Sequence, residues 1–307
     1  MQITAILSDY DGTLCPSGTI RKQEESFIPA DLEEVLWNLS KKVPVCIISS
    51  KDFHFLHNRA RFASIISCIF GIETLVINRH EKTMLKPTDP KEHVSFDRIP
   101  QCRDFRCIKN RYICVDDNTL QHNSEILSEL SEEIASDFKE VIVDQKFTVT
   151  PMKTLVGITI DWRHRDDWQY FKVKSEPQLI KLIIEKQREL QQQNRPSIHI
   201  QTYTTHPFID VYAANCHKDM AFNYISREIP NIQEKQQQQQ QNILYLGDSE
   251  NDNPAFRKAA ISIGVRSDTR LKPKLNCKYN ISFDRLAVFL KGLLEKDLQF
   301  SDSLITS

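Results

Sequence analysis

Short apolar runs alternate with amphipathic segments over the first quarter of the chain. The run "ITAIL" at residues 3–7 has the length of a buried strand, and "VPVCIISS" at residues 43–50 is a second such run. Between them, leucine and valine recur at helical spacing over residues 32–39. A strand that is apolar on both faces, followed by a helix and another such strand, is typical of a parallel sheet covered on both sides. The pattern therefore predicts an α/β fold.

The middle of the chain has a different order of predicted helices and strands. From about residue 122 the pattern gives helix, strand, strand and then repeats that order, which is typical of a small α+β unit with an open sheet. After Lys218 the first rhythm returns, with the apolar runs "NILYLGD" and "ISIGV" separated by helical segments. We therefore predict a doubly wound parallel sheet built from residues 1–82 and 206–307, interrupted by an inserted α+β domain at residues 83–205.

Composition narrows the classes of function. The chain of 307 residues has 40 Lys and Arg against 41 Asp and Glu, which gives no electrostatic basis for binding nucleic acid or an anionic membrane. The longest uncharged apolar stretch, "FASIISCIFGI", is too short to span a bilayer. None of the eight cysteines forms a C-x-x-C pair, which disfavours a zinc site and favours a reducing cytoplasm. The six glutamines at 236–241 predict a polar surface loop, and the oligomeric state stays open, a monomer included.

The first predicted strand ends in two carboxylates and a glycine, in the hexapeptide "DYDGTL" that begins at Asp9. An Asp-Gly pair after a strand also forms simple turns, so the pair alone does not decide between turn and active site. In the functional interpretation, Asp9 attacks phosphorus and forms an aspartyl-phosphate, which divides one difficult displacement into two easier steps. Asp11 then protonates the leaving alcohol and later deprotonates the attacking water, while Gly12 lets the backbone turn sharply.

Such a site needs a hydroxyl donor and a positive group from other strand ends, because ligands of open α/β sheets bind at the carboxyl edge. Ser49 ends the second apolar run and offers a hydroxyl, although a lone serine there also serves as a local cap. Lys218 begins a predicted helix and offers an ammonium group, although a lone lysine there is equally a solvated side chain. Ser49 and Lys218 therefore support an active site only in combination with more specific segments.

The most specific segment is "GDSENDNPAF", residues 247–256. An apolar strand runs into Asp248, Asp252 follows four residues later, and Pro254 suits the first turn of a helix. Two carboxylates and the amide of Asn251 on one strand-to-helix loop predict an oxygen-rich site for Mg²⁺, the alternative being an acidic capped loop. Because all four segments occur at a strand end or a helix start, we favour one shared site.

These four segments resemble the four motifs of the haloacid-dehalogenase-like (HAD) superfamily. The insert resembles the larger α/β cap of its sugar-phosphatase branch, which includes trehalose-6-phosphate, sucrose-phosphate and mannosyl-3-phosphoglycerate phosphatases and the Cof-like hydrolases. The early segment looks most like trehalose-6-phosphate phosphatases, whereas "GDSENDNPAF" is nearer the Cof and sucrose-phosphatase pattern. The second motif also departs from the branch, which usually has glycine and arginine where this chain has Ser50 and Lys51. The resemblance therefore leaves the substrate open.

The resemblance implies a Rossmann-like core and a role for each motif residue. Asp9 is implied as the nucleophile and Asp11 as the general acid and base. Phosphate-binding residues are implied to be Ser49 and Lys218, with Asn251 near the phosphate. The metal Mg²⁺ is implied to bind Asp9, the main-chain carbonyl of Asp11 and Asp248, with Asp252 close by.

In the insert, "TIDWRHRDDW" concentrates aromatic and basic side chains at a strand end: Trp162, Arg163, His164 and Arg165. Such side chains suit sugar faces and phosphate or hydroxyl oxygens, and the alternative is a solvated strand end with a packed tryptophan. We expect a Mg²⁺-dependent phosphomonoester hydrolase for a small phosphorylated sugar or polyol, trehalose-6-phosphate or a related compound. A phosphosugar phosphomutase and a catalytically inactive binding protein are the alternatives.

Overall fold

The computed structural model describes most of the chain, in eight segments: residues 1–16, 27–77, 108–149, 153–192, 196–204, 206–233, 242–267 and 273–306. The glutamine tract at 236–241 and the expected domain boundary near residue 83 lie outside these segments.

Strands in these segments form two separate sheets, one of eight strands and one of four. The strands are β1 (Ala5–Ser8), β2 (Val45–Ile48), β3 (Ile65–Cys68), β4 (Glu73–Ile77), β5 (Ile108–Ile113), β6 (Ile142–Phe147), β7 (Leu155–Asp161), β8 (His199–Thr202), β9 (Phe208–Tyr212), β10 (Ile243–Gly247), β11 (Ile261–Arg266) and β12 (Tyr279–Ser282). The helices are α1 (Ala30–Ser40), α2 (Phe53–Leu56), α3 (Asp117–Asp137), α4 (Trp168–Lys174), α5 (Glu176–Gln192), α6 (Lys218–Gln233), α7 (Asn253–Phe256), α8 (Phe283–Glu295) and α9 (Ser303–Thr306).

The larger sheet, with the helices that cover it, is called the core below. Its strand order is β12-β11-β10-β1-β2-β3-β4-β5. The strands from β12 to β3 run parallel, and β4 and β5 are antiparallel additions at one edge. The chain moves outward from β1 in one direction through β2 and β3, and from β10 in the other direction through β11 and β12. Ligands of such sheets bind beyond the carboxyl ends of the strands where the order reverses, so the residues after β1 and β10 occupy the expected position of a site.

Two layers of helices cover the core sheet. Ile6 of β1 packs in one buried cluster with Leu36 of α1 and Phe289 of α8. Its neighbour Leu7 belongs to a second cluster, on the other face, with Phe222 of α6. Because successive side chains of a strand point to opposite faces, a strand buried on both faces must be apolar at every position. The predicted doubly wound α/β core is therefore confirmed.

The smaller sheet is antiparallel, with the order β6-β7-β9-β8, and is called the cap together with α3, α4 and α5. One face is apolar, and Ile158 shares a buried cluster with Leu130 of α3 and Ile183 of α5. The other face carries Thr159 and Asp210, which pair side by side on β7 and β9. The repeated order of helix, strand, strand that the sequence predicts is present in the cap.

Two strands belong to a different sheet from the one that the expected domain boundaries imply. Residues 108–113 were expected in the insert, but β5 pairs with β4 in the core sheet. Residues 208–212 were expected in the core, but β9 pairs with β7 and β8 in the cap sheet. The pairing places the cap between β5 and α6. An apolar run predicts that a strand forms, but not which strand it pairs with.

After β2, the segment "FHFLHNRARFA" forms only a short helix, Phe53–Leu56. Asp52 caps this turn by accepting a hydrogen bond from the N–H of Phe55. The chain then turns back, and the N–H of Ser64 donates to the carbonyl of Val45 at 2.8 Å to begin the pairing beside β2. Within the described segments, no helix has both the length and the apolar character needed to cross a membrane.

Candidate active site

Asp9 lies directly after β1, at the point where the strand order reverses. Its N–H continues the strand pairing by donating to the carbonyl of Leu246 at 3.0 Å. The side chain of Asp9 is 8% exposed, and its Oδ2 lies 2.9 Å from Nζ of Lys218, the first residue of α6. The structure therefore brings together the first and third of the four sequence segments.

Asp252 is the centre of a buried hydrogen-bond network. Its Oδ1 accepts from Nζ of Lys218 and from the hydroxyl of Tyr245, each at 2.7 Å. Its Oδ2 accepts from the backbone N–H groups of Asp248 and Ser249, each at 3.0 Å, and from the Ser249 hydroxyl at 3.2 Å. A carboxylate offers about four lone-pair positions, so these donors occupy both oxygens of Asp252. Asp252 therefore holds Lys218 beside Asp9 and fixes the loop after β10.

The charges of this cluster perturb one another because the cluster is buried. Burial raises the pKa of Asp9 to about 7, with Lys218 acting in the opposite direction. Burial, followed by the charges of Asp9 and Asp252, raises the pKa of Asp248 well above its usual range. Burial alone lowers the pKa of Lys218, but Asp252 and Asp9 together raise it. The carboxylates are short of positive charge, which is the condition that a bound cation relieves.

Gly12 allows the first and fourth segments to meet. It has φ of +76°, and an added Cβ would lie 2.0 Å from Oδ2 of Asp248. Thr13, the next residue, donates from Oγ1 to Oδ1 of Asp248 at 3.2 Å. The glycine that follows Asp11 therefore serves two purposes, since only glycine combines the left-handed backbone with this close approach.

Oxygen atoms of Asp9, Asp248 and Asp252 lie within 4.8 Å of one another, the spacing of a possible metal site. These distances allow all three carboxylates to bind one metal ion. The hydrogen bonds that Asp252 accepts, however, already occupy its lone pairs. The chemistry of the remaining donors fits Mg²⁺, which prefers carboxylate and carbonyl oxygens and binds through one or two carboxylates. We therefore favour Asp9 and Asp248 as the side-chain ligands, with the Asp11 carbonyl as the implied third protein group.

Replacing Gly12 with alanine is expected to weaken Mg²⁺ binding at least about tenfold, because a 1 Å displacement of a site group is already costly. The added Cβ displaces the carboxylate of Asp248, and the left-handed backbone costs about 1–2 kcal/mol of stability besides. Isothermal titration with Mg²⁺ measures the first effect and thermal unfolding the second. Gly292→Ala is the matched control, because the nearest atom to its added Cβ is the flexible Leu304 side-chain end at 3.0 Å. Unchanged Mg²⁺ affinity in Gly12→Ala would contradict this geometry.

The other motif residues lie at the same edge of the core sheet. Ser49 follows β2, the neighbour of β1, and is 1% exposed. Asp11 is partly exposed and forms an isolated bridge with Cys15, as the N–H of Gly12 donates to the Cys15 carbonyl at 2.9 Å. Asn251 accepts from the hydroxyl of Ser249 in the loop after β10. Each predicted motif residue is thus at a carboxyl strand end or a helix start, as the sequence indicated.

The four cap residues singled out in the sequence are arranged differently. Trp162 is fully buried and packs on Phe171 with ring centroids 5.3 Å apart. Arg163 is paired with Asp161, and Arg165 with Asp167, while His164 is exposed. These contacts agree with the alternative of a packed tryptophan at a solvated strand end.

A polar network on the cap sheet was missed in the sequence. Lys146 and Asp210 form an ion pair of 2.9 Å and are at most 4% exposed. Thr159 and Tyr203 also donate to Asp210, the latter at 2.7 Å. The signal was available, since Asp210 interrupts the otherwise apolar strand "FIDVY". A buried charge in such a strand indicates a partner or a ligand on that face.

This polar cap face lies against the core beside the candidate site. The ring of Tyr212 contacts Phe70 of the core, with centroids 5.4 Å apart, and Nζ of Lys218 lies 5.6 Å from the Phe70 centroid. On the other side, Thr204 donates to the carboxylate of Glu250 at 2.8 Å. The cap therefore lies over the carboxyl edge of the core sheet.

Solved structures with a similar fold were found at low sequence identity. A trehalose-6-phosphate phosphatase related protein is 15% identical with a TM-score of 0.58, and covers 96% of this chain and 99% of its own. The C-terminal domain of the C. albicans trehalose-6-phosphate phosphatase is 14% identical with a TM-score of 0.61, covering 96% and 93%. A HAD subclass IIB sugar phosphatase is 14% identical with a TM-score of 0.51, covering 96% and 100%. At these identities the likeness establishes the shared fold.

No curated protein matches the chain by sequence. The family model for haloacid dehalogenase-like hydrolases, in contrast, matches residues 6–277. This range includes both sheets apart from the first residue of β1 and all of β12, and it contains every residue of the Asp9–Lys218–Asp252 cluster. The resemblance inferred from the four motifs is thus confirmed, and the chain belongs to the haloacid dehalogenase-like hydrolase family.

Proposed function

We propose that this hydrolase is a Mg²⁺-dependent phosphatase that releases phosphate from a small phosphorylated sugar or polyol through an aspartyl-phosphate on Asp9. The observation that carries the proposal is the buried Asp9 carboxylate, held 2.9 Å from the Lys218 ammonium at the reversal point of the core sheet. A trehalose-6-phosphate phosphatase domain and a sugar phosphatase among the structural neighbours support the same reaction class.

The proposed reaction has two half-reactions that use the same two carboxylates. In the first, an oxygen of Asp9 attacks phosphorus, the bond to the leaving oxygen breaks, and Asp11 gives that oxygen its proton. In the second, Asp11 takes a proton from water, and the water oxygen displaces Asp9 from phosphorus to give inorganic phosphate. Asp11 suits this exchange because it is partly exposed, whereas Asp9 is buried.

The remaining groups stabilise the charge of the transferring phosphoryl group. Lys218 is kept protonated by its two carboxylate partners and supplies a fixed positive charge. Ser49 and Asn251 supply neutral donors from the ends of two other core strands. Bound Mg²⁺ would neutralise the repulsion between the buried carboxylates and the phosphate oxygens.

The substrate class is proposed from the polar cap face. Lys146, Thr159, Asp210 and Tyr203 offer donors and acceptors in a buried layer over the core. Buried polar groups bind polyhydroxylated ligands well and reject apolar ones, because an unmatched group is costly. A neutral sugar or polyol with several hydroxyls therefore fits this face better than an aromatic or lipid alcohol.

A phosphate-release screen with Mg²⁺ tests the proposal. The panel includes trehalose-6-phosphate, sucrose-6-phosphate, hexose monophosphates and polyol phosphates, with EDTA-treated enzyme as the metal-free control. We expect release from at least one sugar or polyol phosphate, lost with EDTA and restored by Mg²⁺. Isomerised sugar phosphate without free phosphate would identify a phosphomutase, and no turnover of any panel member would contradict the proposed substrate class.

Replacing Lys146 with methionine is expected to raise KM for the preferred sugar phosphate about tenfold to hundredfold, the effect of losing a charge-assisted hydrogen bond of about 1.5–3 kcal/mol. The kcat/KM for p-nitrophenyl phosphate, which has no hydroxyls to bind the cap, is expected to stay within about threefold. Steady-state kinetics with both substrates make the comparison.

The single substitution also leaves Asp210 buried without its cation, which is expected to cost about 3–5 kcal/mol of stability. The double variant Lys146→Met with Asp210→Asn serves as its control, because both charges are then absent and stability should largely return. A KM that recovers along with the stability would show that Lys146 supports the cap fold without contacting the sugar.

A further inference from the structure

Glu73, the first residue of β4, is a buried carboxylate that the proposed reaction does not use. Its Oε1 accepts from Nε of Arg111 on β5 at 2.6 Å. The backbone N–H of Val149 donates to both of its oxygens, at 3.0 and 3.2 Å. Burial raises the pKa of Glu73, with the Val149 and Arg111 hydrogen bonds acting in the opposite direction. Since Val149 lies just beyond β6, Glu73 joins a core strand to the cap.

A second carboxylate of the core, Asp52, accepts a hydrogen bond from the same end of the cap strand β6. The N–H of Phe147 donates to Oδ2 of Asp52 at 3.4 Å, while Oδ1 of Asp52 caps α2. Thr148, between these two residues, instead donates to the Thr154 carbonyl at 3.0 Å inside the β6–β7 hairpin. Because β6 is an edge strand among the strands that the structure describes, alternate N–H groups on its outer side have no strand partner within the described segments. Two core carboxylates supply those partners at 147 and 149.

The segment that ends at Glu73 also contacts Lys218. Phe70 lies between the Tyr212 ring of the cap and the ammonium of Lys218. Ile69 and Phe70 have φ of 52° and 53°, a left-handed conformation that is rare outside glycine. Such strain persists only where the surroundings fix it. One short segment, Ile69–Glu73, therefore contacts the cap at two places and the phosphate-binding lysine at a third.

We propose that Glu73 is a positioning residue that, through Val149, fixes the polar cap face above Asp9 and Lys218. Lys146, which forms the ion pair with Asp210, lies on β6, three residues before Val149. Release of the strand end from Glu73 lets the hairpin leave the core as a unit and carries Lys146 away from the site. If Glu73 were only a local partner, its loss would affect the hydrogen bond of Val149 and no other part of the hairpin.

Amide hydrogen exchange by NMR tests this in the full chain with Glu73→Ala. The amide of Val149 is expected to exchange about tenfold to hundredfold faster, the effect of losing hydrogen bonds to a charged group. The amide of Phe147, whose acceptor Asp52 is unchanged, should also accelerate several-fold, while that of Thr148 stays within about twofold because the hairpin is intact. Small-angle X-ray scattering should show a larger radius of gyration.

Other exchange patterns overturn the proposal. Acceleration of Val149 alone means that Glu73 is only a local partner, and acceleration of all three amides means that the hairpin has unfolded. If Glu73→Ala does not fold, Glu73→Gln carries the test. It keeps a carbonyl oxygen for Val149 but loses the charge, so both outward amides should accelerate by about twofold to tenfold. No acceleration of Phe147 refutes the proposal.

Arg111→Met is the matched control, since it removes the other partner of Glu73 and leaves the contact with Val149. In this variant the exchange rates of the Phe147, Thr148 and Val149 amides should stay within about twofold of the wild-type rates. Acceleration of Phe147 and Val149 as large as in Glu73→Ala would assign the positioning to the ion pair and overturn the role given to the Val149 contact.

Discussion

Replacing Asp9 with asparagine is expected to lower the rate of phosphate release by at least about 10³-fold, as the removal of a nucleophile does in other hydrolases. The amide cannot form the aspartyl-phosphate, and the shape of the buried site is unchanged. Stability is expected to stay constant or rise, because burial raises the pKa of Asp9 to about 7 and the substitution removes that buried charge. Phosphate release and thermal unfolding measure the two effects.

The result depends on Lys218 keeping a partner. Asp252 still accepts from Nζ of Lys218 at 2.7 Å in the variant, so the lysine is not left alone in the core. Rapid-quench detection of labelled phosphoenzyme gives a direct check, since Asp9→Asn should form none. If turnover were unchanged, Asp9 could not be the nucleophile and the site assignment would have to be abandoned.

Asp252→Asn is expected to have the largest effect on stability, a loss of about 3–5 kcal/mol, because two buried donors lose their acceptor at a cost of about 1–3 kcal/mol each. At about 2–4 °C per kcal/mol for a chain of this size class, the Tm falls by roughly 6–20 °C. The amide group of asparagine places a donor against one pair of existing donors, either Lys218 and Tyr245 or the two backbone N–H groups. Activity should fall about a hundredfold, because Lys218 keeps only Asp9 as a carboxylate partner and shifts from its position.

Asp248→Asn is the matched control for Asp252→Asn. It removes a carboxylate of the same cluster, but one whose pKa is raised by burial and by its acidic neighbours and whose side chain does not pair with Lys218. It should weaken Mg²⁺ binding and activity, while Tm in EDTA stays the same or rises. If both variants lost equal stability in EDTA, the distinction between a metal ligand and a positioning residue would be wrong.

The strongest local signals in the sequence were those tied to backbone geometry. "DYDGTL" and "GDSENDNPAF" each place carboxylates where a buried strand ends, and parallel strands end at one edge of their sheet. Asp9, Asp248 and Lys218 could therefore be assigned to one site before any distance was known. Spacing also predicts that Asp252 lies near the metal site, but its hydrogen bonds to Lys218 and Tyr245 depend on packing and could not be predicted from spacing.

The cap shows where sequence reasoning stops. A cluster of Trp and Arg at a strand end drew attention to Trp162 and Arg165, yet one is buried and the other is paired with a neighbour. Lys146 and Asp210 are 64 residues apart and gave no joint signal, but they form the buried ion pair on the face above the site. Spacing along the sequence identifies residues that are close in the chain. Lys146 and Asp210 meet only because β6 and β9 both pair with β7 in the cap sheet.

The sequence by itself determined the α/β core, the repeated unit of the cap and the residues of the candidate site, because hydrophobic periodicity and turn residues act locally. Only the tertiary structure decided which strands belong to which sheet, which carboxylate positions Lys218, and how Glu73 holds the cap at Val149. Those features are contacts between distant segments, and they exist only when the burial of both partners has brought the segments together.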